Sequence, residues 1–288
     1  MKKIIRHSLL LFVILSGLIS CKKNSDDVQP TNPSTVSSER HIALAGEDNM
    51  RDLGGYPSSD GKKVKFRMLY RSGELSGLTN EDVAKLNAFG IRRVIDLRTS
   101  SERKSQPDKN IERTIIYYLS LIASDVSGGI SQIMGQIISG KITAEQIMLP
   151  AYAVNSVKIA NWKIIFDLLR TGDPTLFHCT AGKDRAGMTA ALILSSLDVP
   201  RDTIVADFMK SNVYLSESIE KTVSQINIAY GAGSGDKLRP LLGVELSFIQ
   251  TFFQDIERQY GTVDNFLTNV LEVDKAEMKK LYLEWVYL

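Results

Sequence analysis

The chain has 288 residues, of which 43% are hydrophobic and 24% are charged. This composition supports a large buried core and excludes a disordered, collagen-like or disulfide-built protein. The formal net charge is only +2, and several of the basic residues lie at the extreme N-terminus, so no broad basic surface for a nucleic-acid partner is expected. The two cysteines, Cys21 and Cys179, each stand in a motif of their own, which leaves no intramolecular disulfide.

The first 20 residues have the organisation of an export signal. A basic start precedes the apolar run Leu9–Ile19, which is too short to cross a bilayer and is typical of a signal-peptide core. The run ends in Leu18-Ile19-Ser20-Cys21, which resembles the bacterial lipobox. That resemblance implies that Cys21 becomes the lipidated N-terminus of the mature protein.

Residues 22–38 are polar and proline-containing, which is typical of a tether between a membrane and a folded domain. We therefore predict a lipoprotein signal peptide at 1–20, a lipid-anchored tether at 21–38 and a single functional domain at 39–288. The predicted location is the membrane of a bacterial cell envelope, on either its periplasmic or its surface face.

Strand and helix patterns alternate through the first part of this domain, as is typical of an α/β fold. Thr79 followed by Asp82 predicts a capped helix that ends at Gly90. Residues 102–110 are polar and are interpreted as a loop or a short helix. Strands are predicted at Lys65–Arg71, Ile91–Arg98, Thr114–Leu121 and Thr175–Phe177.

Helical patterns dominate the remaining segments. Ser127–Pro150 carries isoleucines at helical spacing and is either a helix packed into the core or a lid over an apolar substrate. Asn155–Arg170 is an amphipathic helix. After Leu197 the chain is predicted to be wholly helical, with helices at Arg201–Lys210, Glu217–Tyr230 and Val244–Tyr260 and a final pair within Val263–Leu288.

The most informative stretch is His178–Gly187, which reads His-Cys-Thr-Ala-Gly-Lys-Asp-Arg-Ala-Gly. A strand leads into it and an apolar helix leads out, so the loop amides and the positive end of the helix converge on one point that suits an oxyanion of phosphate size. This field favours the thiolate form of Cys179, and Arg185 offers a planar fork that matches two phosphate oxygens. The predicted phosphate-binding residues are Thr180, Ala181, Gly182, Lys183, Asp184 and Arg185.

A second candidate position is the end of the predicted strand Ile91–Arg98. Asp96 and Arg98 stand at its carboxyl end, and this end of a strand faces the ligand crevice in open α/β sheets. Both residues are therefore candidates for the site, with a surface ion pair on a loop as the alternative.

The loop His-Cys-x-x-Gly-Lys-Asp-Arg-x-Gly resembles the signature of the cysteine-dependent phosphatases, and its Lys-Asp pair resembles the bacterial tyrosine phosphatase branch whose members also act on phosphoinositides. The resemblance covers Ser38–Leu288. It implies a phosphotyrosine-phosphatase-like central sheet flanked by helices, with a helical C-terminal part. No cofactor is expected, and zinc is disfavoured because His178 and Cys179 lack two further ligands at a credible spacing. Three further stretches agree with the resemblance: Asn49–Gly55, Tyr70–Gly73 and Asp96–Arg98.

By this resemblance Cys179 attacks phosphorus to form a phosphocysteine, while Arg185 and the loop amides hold the equatorial oxygens. A general acid must protonate the leaving oxygen; the resemblance suggests Asp184, with Asp96 as the rival. The expected substrates are phosphotyrosine proteins, with phosphoserine, phosphothreonine or phosphoinositides as further candidates, and Lys183 would favour polyanionic head groups. Supporting roles are assigned to His178, Arg51, Asp52 and Arg98.

One residue departs from the family pattern. Ala186 stands where the family has Ser or Thr, whose hydroxyl stabilises the departing thiolate; Thr180 or Thr189 are the candidates to replace it. A catalytically impaired phosphate-binding module is therefore an alternative, and a rhodanese-like sulfurtransferase is a weaker one. A nucleotide-binding loop is disfavoured because Asp184 follows Lys183 where magnesium binding needs Ser or Thr.

Overall fold

A five-stranded sheet organises the protein, whose computed structural model describes residues 40–122 and 129–286. The strand order is β1-β3-β6-β4-β5. The last four of these run parallel to one another, and β1 is antiparallel to β3 at one edge. These strands are β1 (Arg51–Asp52), β3 (Leu69–Ser72), β6 (Thr175–His178), β4 (Arg93–Asp96) and β5 (Ile115–Tyr118).

Helices cover both faces of this sheet, which confirms the predicted α/β fold with a flanked central sheet. The helices are α1 (Asn80–Ala88), α2 (Ser100–Ser105), α3 (Ile130–Ile138), α4 (Ala144–Ala151), α5 (Ile159–Leu169), α6 (Arg185–Ser196), α7 (Arg201–Met209), α8 (Ser211–Tyr214), α9 (Ser216–Tyr230), α10 (Arg239–Leu242), α11 (Leu246–Tyr260), α12 (Val263–Asn265) and α13 (Lys275–Tyr282). Short 3₁₀ turns lie at Val154–Ser156 and Asp236–Leu238, and a π-helical turn at Phe266–Val270. Among the described residues, no helix is both long and apolar enough to cross a membrane.

The core has two main clusters, one on each face of the sheet, because side chains alternate along each strand. Leu69, Ile95 and Phe177 face the larger cluster, which is built around the buried helix α6. Their strand neighbours Tyr70, Val94 and Leu176 face a smaller cluster under α1. As predicted, α1 begins at Thr79, whose hydroxyl accepts from the amide of Asp82 in a capping box.

The C-terminal part is mostly helical, but the prediction that it is wholly helical is wrong at its end. Leu283–Trp285 forms strand β7, which pairs antiparallel with β2 (Lys62–Val64) in a separate two-stranded sheet. The partner strand lies far away in the sequence, so no local pattern reveals this pairing. Leu283 is buried where the two strands meet the main core.

The segment predicted as a core helix or a lid forms α3 and α4. Met134 and Ile137 of α3 are buried in a small third cluster with Ile226 of α9 and Leu238. This packing agrees with the core interpretation. Ser127 and Gly128, the first two residues of the predicted segment, lie outside the described residues, as do the predicted signal peptide and tether.

Parallel register brings the ends of the central strands to a common edge. His178 on β6 aligns with Ser72 on β3 and with Asp96 on β4. The loop of residues 179–184 leaves the sheet at this edge, and α6 follows it directly. The predicted site therefore lies at the carboxyl end of the sheet, as expected for an open α/β fold.

Candidate active site

The loop after β6 is built as a tight turn against the neighbouring strand. Cys179 is only 1% exposed at the loop entrance. Gly182 has a φ of +68°, and a β-carbon there would lie 2.4 Å from the carbonyl carbon of Ser72. Only glycine meets both the left-handed backbone and the close approach. The glycine of the motif therefore lets the loop pack against β3.

Four successive carbonyl groups of this loop are held from outside. The amide of Glu74 donates to the carbonyl of Thr180 at 2.9 Å, and Asn49 Nδ2 donates to that of Ala181 at 2.8 Å. Arg71 Nη2 donates to the carbonyls of Gly182 and Lys183 at 2.8 and 3.2 Å.

These anchors set the direction of the loop amides. In a planar trans peptide, the N–H points opposite to the carbonyl of the preceding residue. The amides of residues 181–184 therefore point to the other side of the loop. Amides arranged in this way form an anion-binding concavity, to which the N-terminus of α6 adds its partial positive charge.

Arg185 opens helix α6 and is held by a carboxylate that sequence analysis missed. Its Nη1 and Nη2 donate to the two carboxylate oxygens of Glu102 at 2.8 and 2.7 Å. Thr180 joins this pair, because its hydroxyl donates to Glu102 Oε1 at 2.6 Å and accepts from Arg185 Nη2 at 3.0 Å. We call Arg185 and Glu102 the mouth pair. It fixes the plane of the guanidinium beside the loop.

The mouth pair keeps Glu102 ionised. Burial alone would raise the pKa of Glu102, but the hydrogen bonds and charge of Arg185, with the hydroxyl of Thr180, lower it to about 2. Burial likewise opposes the charge of Arg185, yet the nearby Cys179 and Glu102 raise the pKa of Arg185 above its ordinary value. Both members of the pair thus stay charged across the physiological range.

Asp184, the predicted general acid, lies at the start of α6 and is partly exposed. Lys183 Nζ donates to its two oxygens, Oδ1 at 3.0 Å and Oδ2 at 2.8 Å. The hydroxyl of Tyr152, which sequence analysis also missed, donates to Asp184 Oδ1 at 2.6 Å. Lys183 is itself buried, and its charge is shared with this carboxylate.

Behind the loop lies a second arginine–carboxylate cluster, Arg51, Arg71 and Asp207, which we call the inner cluster. Arg51 Nε donates to Asp207 Oδ1 at 2.9 Å and Arg71 Nη1 to Oδ2 at 2.7 Å. Burial opposes the ionised form of Asp207, but the two guanidinium groups outweigh it and lower its pKa to about 2. Through Arg71, the inner cluster holds the carbonyls of Gly182 and Lys183.

The remaining predicted site residues fall into two places. Asp52 lies apart from the loop, where it accepts from the amides of Gly54 and Arg67 and so supports a turn. Asp96 and Arg98 are fully buried rather than a surface ion pair, and both oxygens of Asp96 accept from Arg98, at 3.0 and 2.9 Å. Asp96 is therefore committed to a neighbouring cation.

His178 belongs to the same buried group. Its Nε2 lies 3.3 Å from Asp108 Oδ2 and 3.9 Å from Asp96 Oδ1. Such a trio of donor atoms is a candidate metal site. Arg98, however, donates to both carboxylates, so a guanidinium already supplies the compensating charge. The group fits an ion-paired support for the end of β4 better than a metal site.

Ala186 is fully buried in the first turn of α6. The two hydroxyls considered as substitutes at this position donate elsewhere: that of Thr180 to Glu102, and that of Thr189 to the carbonyl of Arg185 at 2.9 Å. A hydroxyl carries one proton, so neither has one left for the sulfur of Cys179 in this arrangement.

Glu102 had a weak signal in the sequence. Thr99 and Glu102 form a capping box at the start of α2, a pattern that predicts a helix start but not a partner for Arg185. Tyr152 and Asp207 carry no local pattern that distinguishes them from ordinary helix residues. Their roles follow only from the packing of α4 and α7 around the loop.

The fold and the site together define a class of protein: an α/β protein that presents a buried cysteine and an arginine in a loop suited to an oxyanion. Residues 42–287 match the profile of the tyrosine phosphatase family. The chain belongs to this family.

Individual relatives agree with the family profile. A Cupriavidus necator protein assigned to the tyrosine-protein phosphatases is 31% identical over 265 residues, which cover 89% of this chain and 94% of that protein. The triple specificity protein phosphatase PtpB of Mycobacterium tuberculosis is 27% identical over 263 residues, covering 78% of this chain and 91% of PtpB. Among solved structures, a variant of Pseudomonas aeruginosa TpbA in complex with phosphotyrosine is 16% identical with a TM-score of 0.33, covering 72% of this chain and 98% of that chain.

Proposed function

We propose that the chain hydrolyses phosphate monoesters through a phosphocysteine formed on Cys179. The observation that carries this proposal is the anchoring of the carbonyls of residues 180–183 from one side of the loop, which leaves the following amides on the other side, available to an anion. The guanidinium of Arg185, oriented by its two hydrogen bonds to Glu102, lies beside the proposed anion position. Amides and a guanidinium arranged in advance stabilise the charge that spreads over the equatorial oxygens in the transition state.

The reaction has two steps. The sulfur of Cys179 attacks phosphorus, the ester P–O bond breaks, and the leaving oxygen takes a proton from Asp184. Water then attacks the phosphocysteine and gives its proton to Asp184, the P–S bond breaks, and Cys179 leaves as a thiolate. Phosphate is released and both side chains return to their starting states.

Asp184 is a better general acid than Asp96 on two grounds. It lies within the loop and its side chain is 27% exposed, so it can meet a leaving group. Asp96, in contrast, is fully buried and pairs through both oxygens with Arg98. Asp184→Asn should therefore slow the first step, and more so for alkyl phosphates than for nitrophenyl phosphate, whose leaving group needs little protonation.

Phosphotyrosine proteins are the proposed substrates, with phosphoserine, phosphothreonine and phosphoinositides as further candidates. The relative named as a triple specificity phosphatase and the positive charge of Lys183 support this wider range. Because Lys183 is paired with Asp184, it acts less as a free charge for a head group than its position in the motif suggests. A phosphate-release panel of phosphotyrosine and phosphoserine peptides and phosphoinositide vesicles ranks these candidates.

The decisive test measures phosphate released from p-nitrophenyl phosphate by the full-length chain and by Cys179→Ser. We expect turnover in the first and none in the second. Release that survives Cys179→Ser would contradict the proposal. Phosphopeptide binding without release would favour the phosphate-binding alternative, and sulfur transfer from thiosulfate would favour the rhodanese-like one.

We further propose that Cys21 carries a lipid that anchors the exported protein to a bacterial envelope membrane. The lipobox-like sequence before Cys21 and the polar stretch after it support this. Metabolic labelling with a fatty acid should mark the wild type and not Cys21→Ser, which should also leave the membrane fraction. Unlabelled wild-type protein would contradict the anchor but not the proposed chemistry.

A further inference from the structure

Tyr152 is an aromatic side chain whose hydroxyl contacts the proposed general acid, Asp184. It lies at the C-terminal cap of α4 and is fully buried. Its ring stacks on Phe248 of α11, with centroids 5.2 Å apart, and meets Phe208 of α7 edge to face at 6.0 Å. Two rings from different helices therefore fix the position of its hydroxyl group.

The hydroxyl of Tyr152 donates a hydrogen bond to Asp184 Oδ1 at 2.6 Å. Asp184 is the N-cap residue of α6, but its side chain makes no capping hydrogen bond to the helix. Within the described residues, its carboxylate is instead held by Tyr152 and Lys183. The orientation of this carboxylate is thus set from outside its own helix.

The two oxygens of Asp184 are not equivalent. Oδ1 accepts from both Tyr152 and Lys183, whereas Lys183 is the only donor to Oδ2 in the part of the chain that the structure describes. A proton on the carboxyl group therefore sits more favourably on Oδ2, where fewer donors compete with it. Burial, and then the charge of Asp184, raise the pKa of Tyr152 well above its ordinary value, so the phenol remains a donor throughout the working pH range.

We propose that Tyr152 is a positioning residue that orients Asp184 so that Oδ2 delivers the proton to the leaving oxygen. This inference rests on the proposed function, because it names how the general acid of that reaction is aligned. When the ester P–O bond breaks, the proton moves from Asp184 Oδ2 to the departing oxygen. The Tyr152 hydroxyl keeps its own proton and its hydrogen bond to Oδ1 throughout.

The inference makes a prediction that depends on the leaving group. Proton donation matters little when nitrophenolate leaves and much when phenolate leaves. For Tyr152→Phe we expect kcat/KM to fall less than about 3-fold with p-nitrophenyl phosphate but about 10- to 30-fold with phenyl phosphate, since a misaligned acid loses part of its catalytic advantage.

Tyr282→Phe is the matched control. Tyr282 is also fully buried, and its hydroxyl donates to a single acceptor, the carbonyl of Leu169 at 2.7 Å, away from the loop. Its removal should leave the ratio of the two substrates unchanged. Thermal midpoints of both variants report whether either substitution disturbs the fold.

A double-mutant cycle with Asp184→Asn separates positioning from a general loss of structure. If Tyr152 acts through Asp184, its substitution should cost little further activity in the Asp184→Asn background. An equal loss for both substrates, or full additivity with Asp184→Asn, would overturn the inference. Wild-type activity that does not need Cys179 would instead defeat the proposed function itself, so the two failures are distinguishable.

Discussion

The inner cluster and the mouth pair use the same chemistry in different surroundings. In each, guanidinium groups hold the pKa of a carboxyl at about 2, Asp207 in the inner cluster and Glu102 in the mouth pair. The side chains of Arg51, Arg71 and Asp207 are at most 2% exposed, whereas those of Arg185 and Glu102 are 11% and 27% exposed.

Because of this difference in burial, we expect the inner cluster to contribute mainly to stability and the mouth pair mainly to activity. A buried ion pair that loses one partner leaves a charge that water cannot reach, so its loss lowers the free energy of unfolding. A partly exposed pair is rehydrated more easily, and its loss is expressed mainly in the orientation of Arg185. Substitutions of three carboxylates test this contrast, and a fourth at Ala186 tests the loop itself; they follow from the largest expected effect to the smallest.

Asp207→Asn should be the most damaging, because it removes the carboxylate that the buried guanidinium groups of Arg51 and Arg71 share. We expect the free energy of unfolding to fall by about 3–5 kcal/mol, as for other broken buried pairs. Urea denaturation at neutral pH measures it. Glu220→Gln, which removes the carboxylate of an exposed pair with Arg239, is the control and should leave the free energy of unfolding nearly unchanged, because water screens exposed pairs. Similar losses in the two variants would remove the distinction between buried and exposed pairs.

Glu47 sharpens the comparison because it is a buried acid beside the inner cluster without a guanidinium of its own. Its Oε1 accepts from the amides of Asn49 and Gly73, and its Oε2 is buried and has no partner among the described residues. Burial raises the pKa of Glu47 to about 7. The arginine partners of Asp207 therefore account for the opposite direction of its shift.

The raised pKa of Glu47 gives a pH dependence with a definite sign. The unfolded carboxyl ionises near its ordinary pKa of 4.5 and the folded one near 7, so stability present below pH 4.5 is lost as the pH rises to about 7. The shift corresponds to about 3 kcal/mol. Glu47→Gln mimics the protonated form and should flatten this part of the curve. Denaturation at pH 4.5 and at pH 7.5 tests it; parallel wild-type and variant curves would contradict the prediction.

Glu102→Gln should affect activity more than stability. The neutral amide cannot hold both Nη atoms of Arg185 as a carboxylate does, and we expect kcat/KM for p-nitrophenyl phosphate to fall about 10- to 100-fold through misaligned transition-state contacts. Glu220→Gln again serves as the control and should keep full activity.

The low pKa of Glu102 sets the pH behaviour of this effect. Its ionised pair contributes stability above about pH 4.5 that is lost as the pH falls towards 2, so between pH 5 and 8 its protonation does not change. The ratio of wild-type to Glu102→Gln activity should therefore stay constant across that range. A ratio that varies steeply there would show that Glu102 titrates during the reaction.

Ala186→Ser is expected to have the smallest effect. It introduces a hydroxyl where the signature pattern leads us to expect Ser or Thr, and a donor near Cys179 should ease departure of the thiolate by a few-fold, about 1 kcal/mol or less. A rapid burst of nitrophenolate in the wild type, reduced in Ala186→Ser, would show that breakdown of the phosphocysteine limits turnover. The control is Ala190→Ser, which changes another buried alanine on the same helix. An unchanged burst would show that the missing hydroxyl does not matter.

Much of the fold was predictable because its signals are local. Short runs rich in apolar, aromatic and β-branched residues located β3 to β6, and the capping pattern at Thr79 located α1. The end of the chain was predicted wrongly, because β7 depends on pairing with β2 and not on a pattern of its own. The segment of α3 and α4 was predicted as helical, but its periodicity did not decide between a core helix and a lid.

By itself the sequence determined the loop, because Cys179 and Arg185 lie on one contiguous strand–loop–helix unit whose geometry follows from neighbouring residues. Only the tertiary structure decided which side chains support it. Glu102 is 83 positions from Arg185, Arg71 is 136 from Asp207, and Tyr152 is 32 from Asp184. Contacts over such separations depend on strand order and helix packing, which place distant residues together without leaving a pattern in the sequence of either.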